Sequence, residues 1–260
     1  MLFDAYIEKM HEYVSHMQVA GRAVNEWRVP VSELRNNLPV AVGPGANIGI
    51  ILRGDTYVEL GNPEAGSAAI SLFTDQVELV NDGRITLIGP DMDKIGGQSL
   101  PFGQIVIVGG EGLENSDYEA LQRAGIVGDM IEGYQMRSLP RNIWSRVSKD
   151  SAGKGFCFES LGKALMVLYK TANPKIGAME VIFVTSGKED VKWLGDISAQ
   201  VQKITREIVR ETWKIRGFDI DCSQNCSACA DKPVCDDIRE VLQEKEARAS
   251  RSEIEKELRG

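Results

Sequence analysis

The sequence predicts an α+β fold, with a mixed or antiparallel sheet and flanking helices. Short runs rich in Val and Ile, bounded by Gly, Pro, Asn and Asp, fill much of the first half of the chain. Longer amphipathic patterns dominate the second half. Because strands come first and helices later, without regular alternation, a doubly wound parallel sheet is not expected. The 260 residues, 43% apolar and 26% charged, can bury one large core or two small ones.

The chain begins with a predicted helix, since apolar residues recur at helical spacing through residues 3–25. His11 and His16 lie on this helix five positions apart. That spacing is wrong for a shared metal-binding face, so we interpret both as surface or edge residues. A connector punctuated by prolines, residues 29–39, follows the helix. Together they form a predicted N-terminal helical segment, residues 1–39.

The elements of a predicted α+β domain, residues 40–216, come next. The strands of its first half are expected at Ile48–Leu52, Tyr57–Leu60, Gln76–Val80, Ile85–Ile88 and Ile105–Val108. Asn81-Asp82-Gly83 favours a hairpin between the third and fourth of these strands. The later elements are expected to be a helix over 116–133, a strand Asn142–Val147, a helix Leu161–Tyr169, a strand Ala178–Thr185 and a long helix Asp190–Arg216.

Composition excludes several classes of function. A net charge of −8 argues against a nucleic-acid partner, because phosphate contacts require a basic face. No run of about 18 apolar residues is present, so no membrane-spanning helix is expected. The first residues, Met1 to Lys9, carry acids where a signal peptide would need a basic flank. We therefore expect a cytoplasmic protein whose thiols stay reduced.

Four of the five cysteines lie within fourteen residues near the C-terminus, spaced C-x3-C-x2-C-x5-C. They are Cys222, Cys226, Cys229 and Cys235. In a reducing compartment, thiolates this close together usually bind a metal or an iron–sulfur cluster. Four thiolate sulfurs could complete the coordination of either a [4Fe–4S] cluster or one Zn²⁺ ion. A highly charged helix is predicted over residues 236–259 and completes a C-terminal cysteine-rich segment, residues 217–260.

A basic stretch stands out in this acidic protein. From Arg137 to Lys154 the chain carries five basic residues against a single acid, with Trp144 in the middle. If Asn142–Val147 is a strand, Trp144 and Arg146 project from the same face. An aromatic ring beside guanidinium groups suits a phosphorylated ligand with an adenine ring. The alternative is a solvated basic strand with a tryptophan in the core.

Several motifs recur together, in the same order, in one known family. They are Tyr57-Val-Glu-Leu-Gly-Asn-Pro63, Val77 to Asp91, Leu100-Pro-Phe-Gly103, Asn142 to Lys149, and Lys154-Gly-Phe156. Over roughly residues 40–235 the sequence thereby resembles the acetyl-CoA synthase (beta) subunit of the CO dehydrogenase/acetyl-CoA synthase complex. The resemblance implies an α+β domain that engages coenzyme A through a tryptophan and arginines. The residues of this sequence that match the family's tryptophan and one of its arginines are Trp144 and Arg146. We add Arg141 and Lys149 as further candidates for coenzyme A binding.

The resemblance also bears on the cysteines. The family's C-x2-C-x8-C-x9-C pattern holds the [4Fe–4S] part of a nickel-containing cluster, and Cys226 and Cys229 match its first pair. Cys235 is the counterpart of the third cysteine, and Cys222 is the candidate replacement for the fourth. The family's later C-G-C segment, which supplies the dinickel site, has no counterpart in these 260 residues. Nickel is therefore not expected, and iron–sulfur is favoured over zinc.

The expected function is an accessory or electron-transfer role in anaerobic one-carbon or acyl-CoA metabolism, with a [4Fe–4S] cluster, a protein partner and coenzyme A binding. Two alternatives remain open. One is an acyl- or methyl-transferring subunit completed by a partner that provides nickel ligands. The other is a zinc-stabilised structural module that docks onto a larger complex through residues 236–259.

Overall fold

The computed structural model describes residues 2–34, 38–46, 49–95, 99–118, 120–121, 130–139 and 142–215. The four clustered cysteines, the helix predicted over 236–259 and Arg141 lie outside these ranges. Residues up to Ile215 form one compact unit. The description below concerns that unit.

The strands and helices of this unit fall in the following order. The strands are β1 (Val24–Arg28), β2 (Thr56–Leu60), β3 (Ser67–Thr74), β4 (Arg84–Ile88), β5 (Ser99–Leu100), β6 (Phe102–Gly109), β7 (Tyr134–Leu139), β8 (Asn142–Ser148) and β9 (Ala178–Val184). The helices with both ends among the described residues are α1 (Asp4–Val19), α2 (Lys149–Gly153), α3 (Phe158–Ala172) and α4 (Lys188–Ile215).

The larger sheet is mixed and has the strand order β1-β4-β9-β6-β3. Strand β9 is parallel to β4 and antiparallel to β6. Strand β3 is parallel to β6. Every residue of β6 and of β9 is buried. Strands covered on both faces read as continuous apolar runs, which explains why the sequence revealed these two strands so readily.

The smaller sheet has the order β5-β2-β8-β7. Strand β8 is antiparallel to both of its neighbours, and the short β5 runs parallel to β2. Along β8, Ile143, Ser145 and Val147 are buried, while Trp144 and Arg146 between them are half-buried. This alternation turns Trp144 and Arg146 away from the core.

Helices pack on the sheets through apolar stripes. Helix α1 buries one stripe, formed by Ile7, Met10, Tyr13, Val14 and Met17. Helix α4 lies along β3, where the Ser198 hydroxyl donates to the carbonyl of Ala69. Among the described residues, no helix combines the length and apolar character needed to cross a membrane.

The predicted α+β class is confirmed, and most of the predicted elements are present. Strands were found where expected at β2, β4, β6, β8 and β9, and helices at α1, α3 and α4. The first helix is shorter than predicted, because it ends at Val19 and residues 24–28 form β1 at the edge of the larger sheet. Strands β3 and β7 were not predicted.

Two predicted strands were wrong. Residues 77–79 form a 3-10 turn instead of a strand, closed by the Val80 amide donating to the carbonyl of Val77. The hairpin at Asn81-Asp82-Gly83 is therefore absent, and the Gly83 amide donates to the carbonyl of Met179 on β9. Residues 49–52 are not a strand either, since the backbone of Ile51 bonds to side chains.

The helix predicted over 116–133 is also shorter than expected. It follows a 3-10 turn at Asn115–Asp117, and residues 122–129 lie outside the described ranges. Ile131 forms isolated bridges with Val42 and Tyr134, so the helix cannot extend to residue 133.

Candidate ligand-binding cleft

A row of polar side chains crosses the outer face of the smaller sheet. Glu59 on β2 is in register with Ser99 on β5 and, on its other side, with Arg146 on β8. Arg146 is in turn in register with Gln135 on β7. Residues directly opposite one another on neighbouring strands share a face and lie within side-chain reach. The row therefore brings together residues from four separate parts of the chain.

Glu59 is the acceptor at the centre of this row. Its carboxylate accepts hydrogen bonds from Nε of Arg146 at 3.1 Å, from Oγ of Ser99 at 2.9 Å and from Nδ2 of Asn62 at 3.2 Å. Partial burial raises the pKa of Glu59, but the hydrogen bonds from Asn62, Ser99 and Arg146 outweigh it and leave the pKa below its usual value. Glu59 is thus an anion at neutral pH, and it neutralises Arg146.

Trp144 lies against the same pair. The guanidinium carbon of Arg146 is 5.2 Å from the centre of the indole ring, a distance at which a cation–π attraction operates. The indole Nε1 is buried and faces the Glu59 carboxylate, without a hydrogen bond of normal geometry. Arg146 is therefore held between an acid and an aromatic ring.

A short segment, residues 51–54, crosses beside this row and is called the strap below. Gln135 Oε1 accepts the Ile51 amide at 3.3 Å, and Arg146 Nη1 donates to the Ile51 carbonyl at 3.5 Å. Lys149 Nζ donates to the carbonyl of Gly54 at 2.7 Å. Side chains of β7, β8 and α2 thus hold both ends of the strap by its backbone.

A cleft of about 540 Å³ lies between Arg53 of the strap and Glu59, Ser99 and Arg146 of the row. Small-molecule sites commonly measure roughly 300–1,000 Å³, so the cleft is large enough to receive a ligand. Its lining consists of Arg53, Thr56, Tyr57, Glu59, Asn62, Pro63, Glu64, Ser99, Trp144 and Arg146. Arg53 is exposed, and within the described residues its guanidinium makes no hydrogen bond or ion pair.

The structure places the predicted ligand-binding residues as follows. Trp144 and Arg146 lie together at the cleft, on one face of β8, as the strand period predicts. Lys149 lies at the start of α2, bonds to the strap and is not part of the lining. Arg141 lies outside the described residues. Whether these side chains bind coenzyme A stays a prediction.

Sequence reasoning missed Arg53, Glu59, Asn62 and Ser99. Glu59 and Asn62 belong to the motif Tyr57–Pro63, which had been noted only for its resemblance. Ser99 is 40 positions from Glu59, and Arg146 is 87 positions from it. Nothing in the local sequence indicates such pairings, because strand register depends on the whole sheet.

The predicted metal ligands are not described by the structure, since Cys222, Cys226, Cys229 and Cys235 all lie beyond residue 215. Within the described ranges, no group of three or more His, Cys, Asp or Glu side chains could hold a metal ion. Cys157 precedes α3, and its Sγ lies 3.4 Å from Ser160 Oγ.

Fold and cleft together define an α+β protein with a polar, tryptophan-flanked cleft on its smaller sheet. The sequence profile described as "CO dehydrogenase/acetyl-CoA synthase complex beta subunit" matches residues 38–191. This match covers more than half of the chain, and the chain belongs to that family.

Individual relatives agree with this assignment. The acetyl-CoA decarbonylase/synthase complex subunit beta 1 of Methanosarcina thermophila is 32% identical over 177 residues, which are 66% of this chain and 36% of that protein. The beta subunit of Archaeoglobus fulgidus is 32% identical over 184 residues, 69% of this chain and 34% of the relative.

A third relative, named as an alpha subunit, is also similar. The carbon monoxide dehydrogenase/acetyl-CoA synthase subunit alpha of Moorella thermoacetica is 28% identical over 208 residues, 77% of this chain and 27% of that protein. The chain therefore spans about a third of the length of the curated relatives it matches.

Proposed function

We propose that this protein is an accessory or electron-transfer component of an acetyl-CoA synthase/CO dehydrogenase system, that its cleft binds coenzyme A, and that its C-terminal cysteines bind a [4Fe–4S] cluster. The observation that carries the coenzyme A proposal is the cleft itself, in which Trp144 and guanidinium groups line a volume of about 540 Å³. The relatives that match the chain are named for acetyl-CoA and for a multi-subunit complex.

The chemistry of the cleft suits the parts of coenzyme A. Aromatic rings of Trp144 and Tyr57 offer apolar surface to an adenine ring. Asn62 and Ser99 supply hydrogen-bonding groups, and a guanidinium group can pair with a phosphate through two parallel hydrogen bonds. The ionised Glu59 already engages Arg146, so Arg146 is less available to a ligand than its sequence position suggests.

Calorimetric titration of the full chain with coenzyme A tests this proposal. Wild type should bind, and Trp144→Ala should weaken binding about fivefold or more, because loss of base stacking costs about 1–3 kcal/mol. Trp27→Ala, on the edge strand β1 of the other sheet, is the matched control and should bind as wild type does. Far-UV circular dichroism verifies that both variants fold. A wild-type chain that takes up no coenzyme A refutes the proposal.

The iron–sulfur proposal rests on the donor set. Four thiolates are the usual ligands of a [4Fe–4S] cluster, and they also suit zinc. Cys222, Cys226, Cys229 and Cys235 would hold the cluster, whose chemistry would be one-electron transfer. Metal binding requires thiolates, so it releases protons and couples to local folding.

Anaerobic purification with metal analysis and EPR spectroscopy tests the cluster. About four irons per chain with acid-labile sulfide are expected. Cys226→Ser should lose most of this iron, whereas Cys157→Ser should keep it, because Cys157 is remote in sequence from the four clustered cysteines. Stoichiometric zinc from iron-replete cells would instead support the zinc-stabilised docking module. Nickel would support the acyl- or methyl-transferring subunit.

We further propose a protein partner and a cytoplasmic location. The relatives are named as subunits of complexes, and the reduced thiols that a cluster requires persist in the cytoplasm. Co-purification from cells with an affinity-tagged full chain would test the partner. A chain recovered alone under anaerobic, low-salt conditions would contradict it.

A further inference from the structure

Two arginines of the described chain line the cleft, and of their guanidinium groups only that of Arg146 has a bonding partner among the described residues. Arg146 pairs with Glu59 and stacks on Trp144. Arg53 is exposed, and within the described part of the chain nothing neutralises its guanidinium. An anionic ligand that enters the cleft can therefore bond to Arg53 without displacing a protein group.

The strap fixes the backbone on which Arg53 stands. Ile51 is anchored through both its amide and its carbonyl, and the Gly54 carbonyl accepts a hydrogen bond from Lys149. The Thr56 amide also donates to the carbonyl of Arg53 itself. An exposed arginine without a partner is common on protein surfaces, but this one is anchored on both sides and lies on the wall of a cleft. That arrangement limits the backbone entropy lost when the arginine binds a ligand.

The charges of the cleft indicate how an anion would be recognised. Among the residues that the structure describes, its charged lining residues are two arginines and two acids, Arg53, Arg146, Glu59 and Glu64. The field of the cleft is therefore close to neutral, and it would not attract an anion strongly from a distance. Recognition must depend on direct hydrogen bonds, for which a free, planar guanidinium is well suited.

We infer that Arg53 is the residue that binds a phosphate group of the ligand, and that Arg146 and Lys149 act as positioning residues that hold the strap. This inference rests on the proposed binding of coenzyme A. It names the residue that would recognise a phosphate group of that ligand. It also gives a function to two of the three basic side chains that the sequence suggests for coenzyme A binding.

Titration of full-length variants with coenzyme A tests the role of Arg53. Arg53→Ala should weaken binding about tenfold or more, and Arg53→Lys should fall between, since a lysine keeps the charge but loses the paired hydrogen bonds. Arg206→Ala, an exposed arginine on α4, removes the same charge away from the cleft and should bind as wild type does.

The outcomes separate the two proposals. If wild type binds coenzyme A and Arg53→Ala binds as Arg206→Ala does, the inference about Arg53 is overturned while coenzyme A binding stands. If wild type does not bind, both are overturned. Repeating the titration with 3′-dephospho-coenzyme A shows which phosphate Arg53 binds. If Arg53→Ala still binds this analogue more weakly than wild type does, Arg53 binds the diphosphate. If the two proteins bind the analogue equally, Arg53 binds the 3′-phosphate.

Hydrogen exchange tests the positioning role of Lys149. Lys149→Met should speed amide exchange in residues 49–55 and weaken coenzyme A binding severalfold, while the thermal unfolding midpoint changes little. Lys192→Met, an exposed lysine on α4, is the control and should do neither. Unchanged exchange in the strap together with unchanged affinity would remove Lys149 from the inference.

Discussion

At the scale of single residues, Glu180 is a charged side chain that is costly to bury. It lies on the central strand β9, and its side chain has no exposed surface. Arg84 donates twice to its Oε1, at 2.9 and 2.6 Å, and His11 lies 2.8 Å from its Oε2. The backbone and side-chain nitrogens of Asn81 complete the set of donors. A buried carboxylate is tolerated only when it is this fully bonded.

These donors make stability depend on pH. Burial raises the pKa of Glu180, but the hydrogen bond from His11 and the positive charge of Arg84 outweigh it, so the pKa lies below its usual value in the folded protein. A lowered carboxylate pKa contributes stability that is present above the unfolded-state value. That stability is lost as the pH falls through the folded-state value.

Glu180→Gln tests this account. The free energy of unfolding at pH 7 should fall by about 3 kcal/mol, because Arg84 loses its buried partner. Between about pH 5 and pH 3 the variant should also lose less further stability than wild type, since one linked carboxylate is gone. Urea denaturation across this pH range measures both effects.

Glu207→Gln, on the exposed face of α4, is the control and should change the unfolding free energy very little. A Glu180→Gln chain as stable as wild type at pH 7 would show that the buried network contributes nothing net.

At the scale of elements, the turn after β2 decides the shape of the cleft. Gly61 has a φ of +69°, and its amide donates to the carbonyl of Leu100. A Cβ at this position would lie 2.2 Å from the carbonyl oxygen of Ile143, which belongs to β8. The close approach allows β2 and β8 to pack together while Glu59 and Asn62, on either side of Gly61, both reach the cleft. Only glycine satisfies both the backbone angle and the contact.

Gly61→Ala should therefore destabilise the fold by about 2 kcal/mol or more, because a left-handed backbone and a backbone overlap are both penalised. Thermal unfolding followed by circular dichroism measures the change. Gly153→Ala, in α2, meets no atom within 4 Å and should be neutral or slightly stabilising. Equal melting temperatures for the two variants would contradict the role given to Gly61.

At the scale of the whole molecule, the N-terminal residues pack into the same core as the family-matched region, which begins at residue 38. Phe3 is fully buried, with its ring 5.1 Å from that of Phe73 and 5.9 Å from that of Tyr118. Tyr13 stacks on Trp193 of α4 at 4.5 Å. Helix α1 is thus part of the core of the compact unit.

Phe3→Ala should lower the free energy of unfolding of this unit by about 3–5 kcal/mol, the usual range for a buried aromatic side chain. Tryptophan fluorescence and far-UV circular dichroism should report the same shifted transition. The neighbouring Leu2→Ala is the control, since Leu2 is 54% exposed. An unchanged main transition in Phe3→Ala would mean that α1 unfolds separately from the sheets.

Much of the fold could be read from the sequence. The buried strands β6 and β9 and the helices α3 and α4 follow from apolar runs and helical periodicity, which are local properties. The sequence failed at β3 and at residues 76–80. Strand β3 includes Ser67, Ala68, Ala69 and Ser71, whose small side chains give little strand signal. Residues 76–80 have strand composition, yet they form a turn beneath α1.

The α+β class, the family resemblance and the shared face of Trp144 and Arg146 can all be predicted from residue order and from the two-residue period of a strand. The neutralisation of Arg146 by Glu59 and the bond from Lys149 to the strap become visible only in the folded chain. The folded chain also shows that Arg53 lines the cleft and that its guanidinium has no bonding partner among the described residues. The physical reason is that pairing between strands 40 to 87 positions apart is set by the packing of the whole sheet, which no local pattern records.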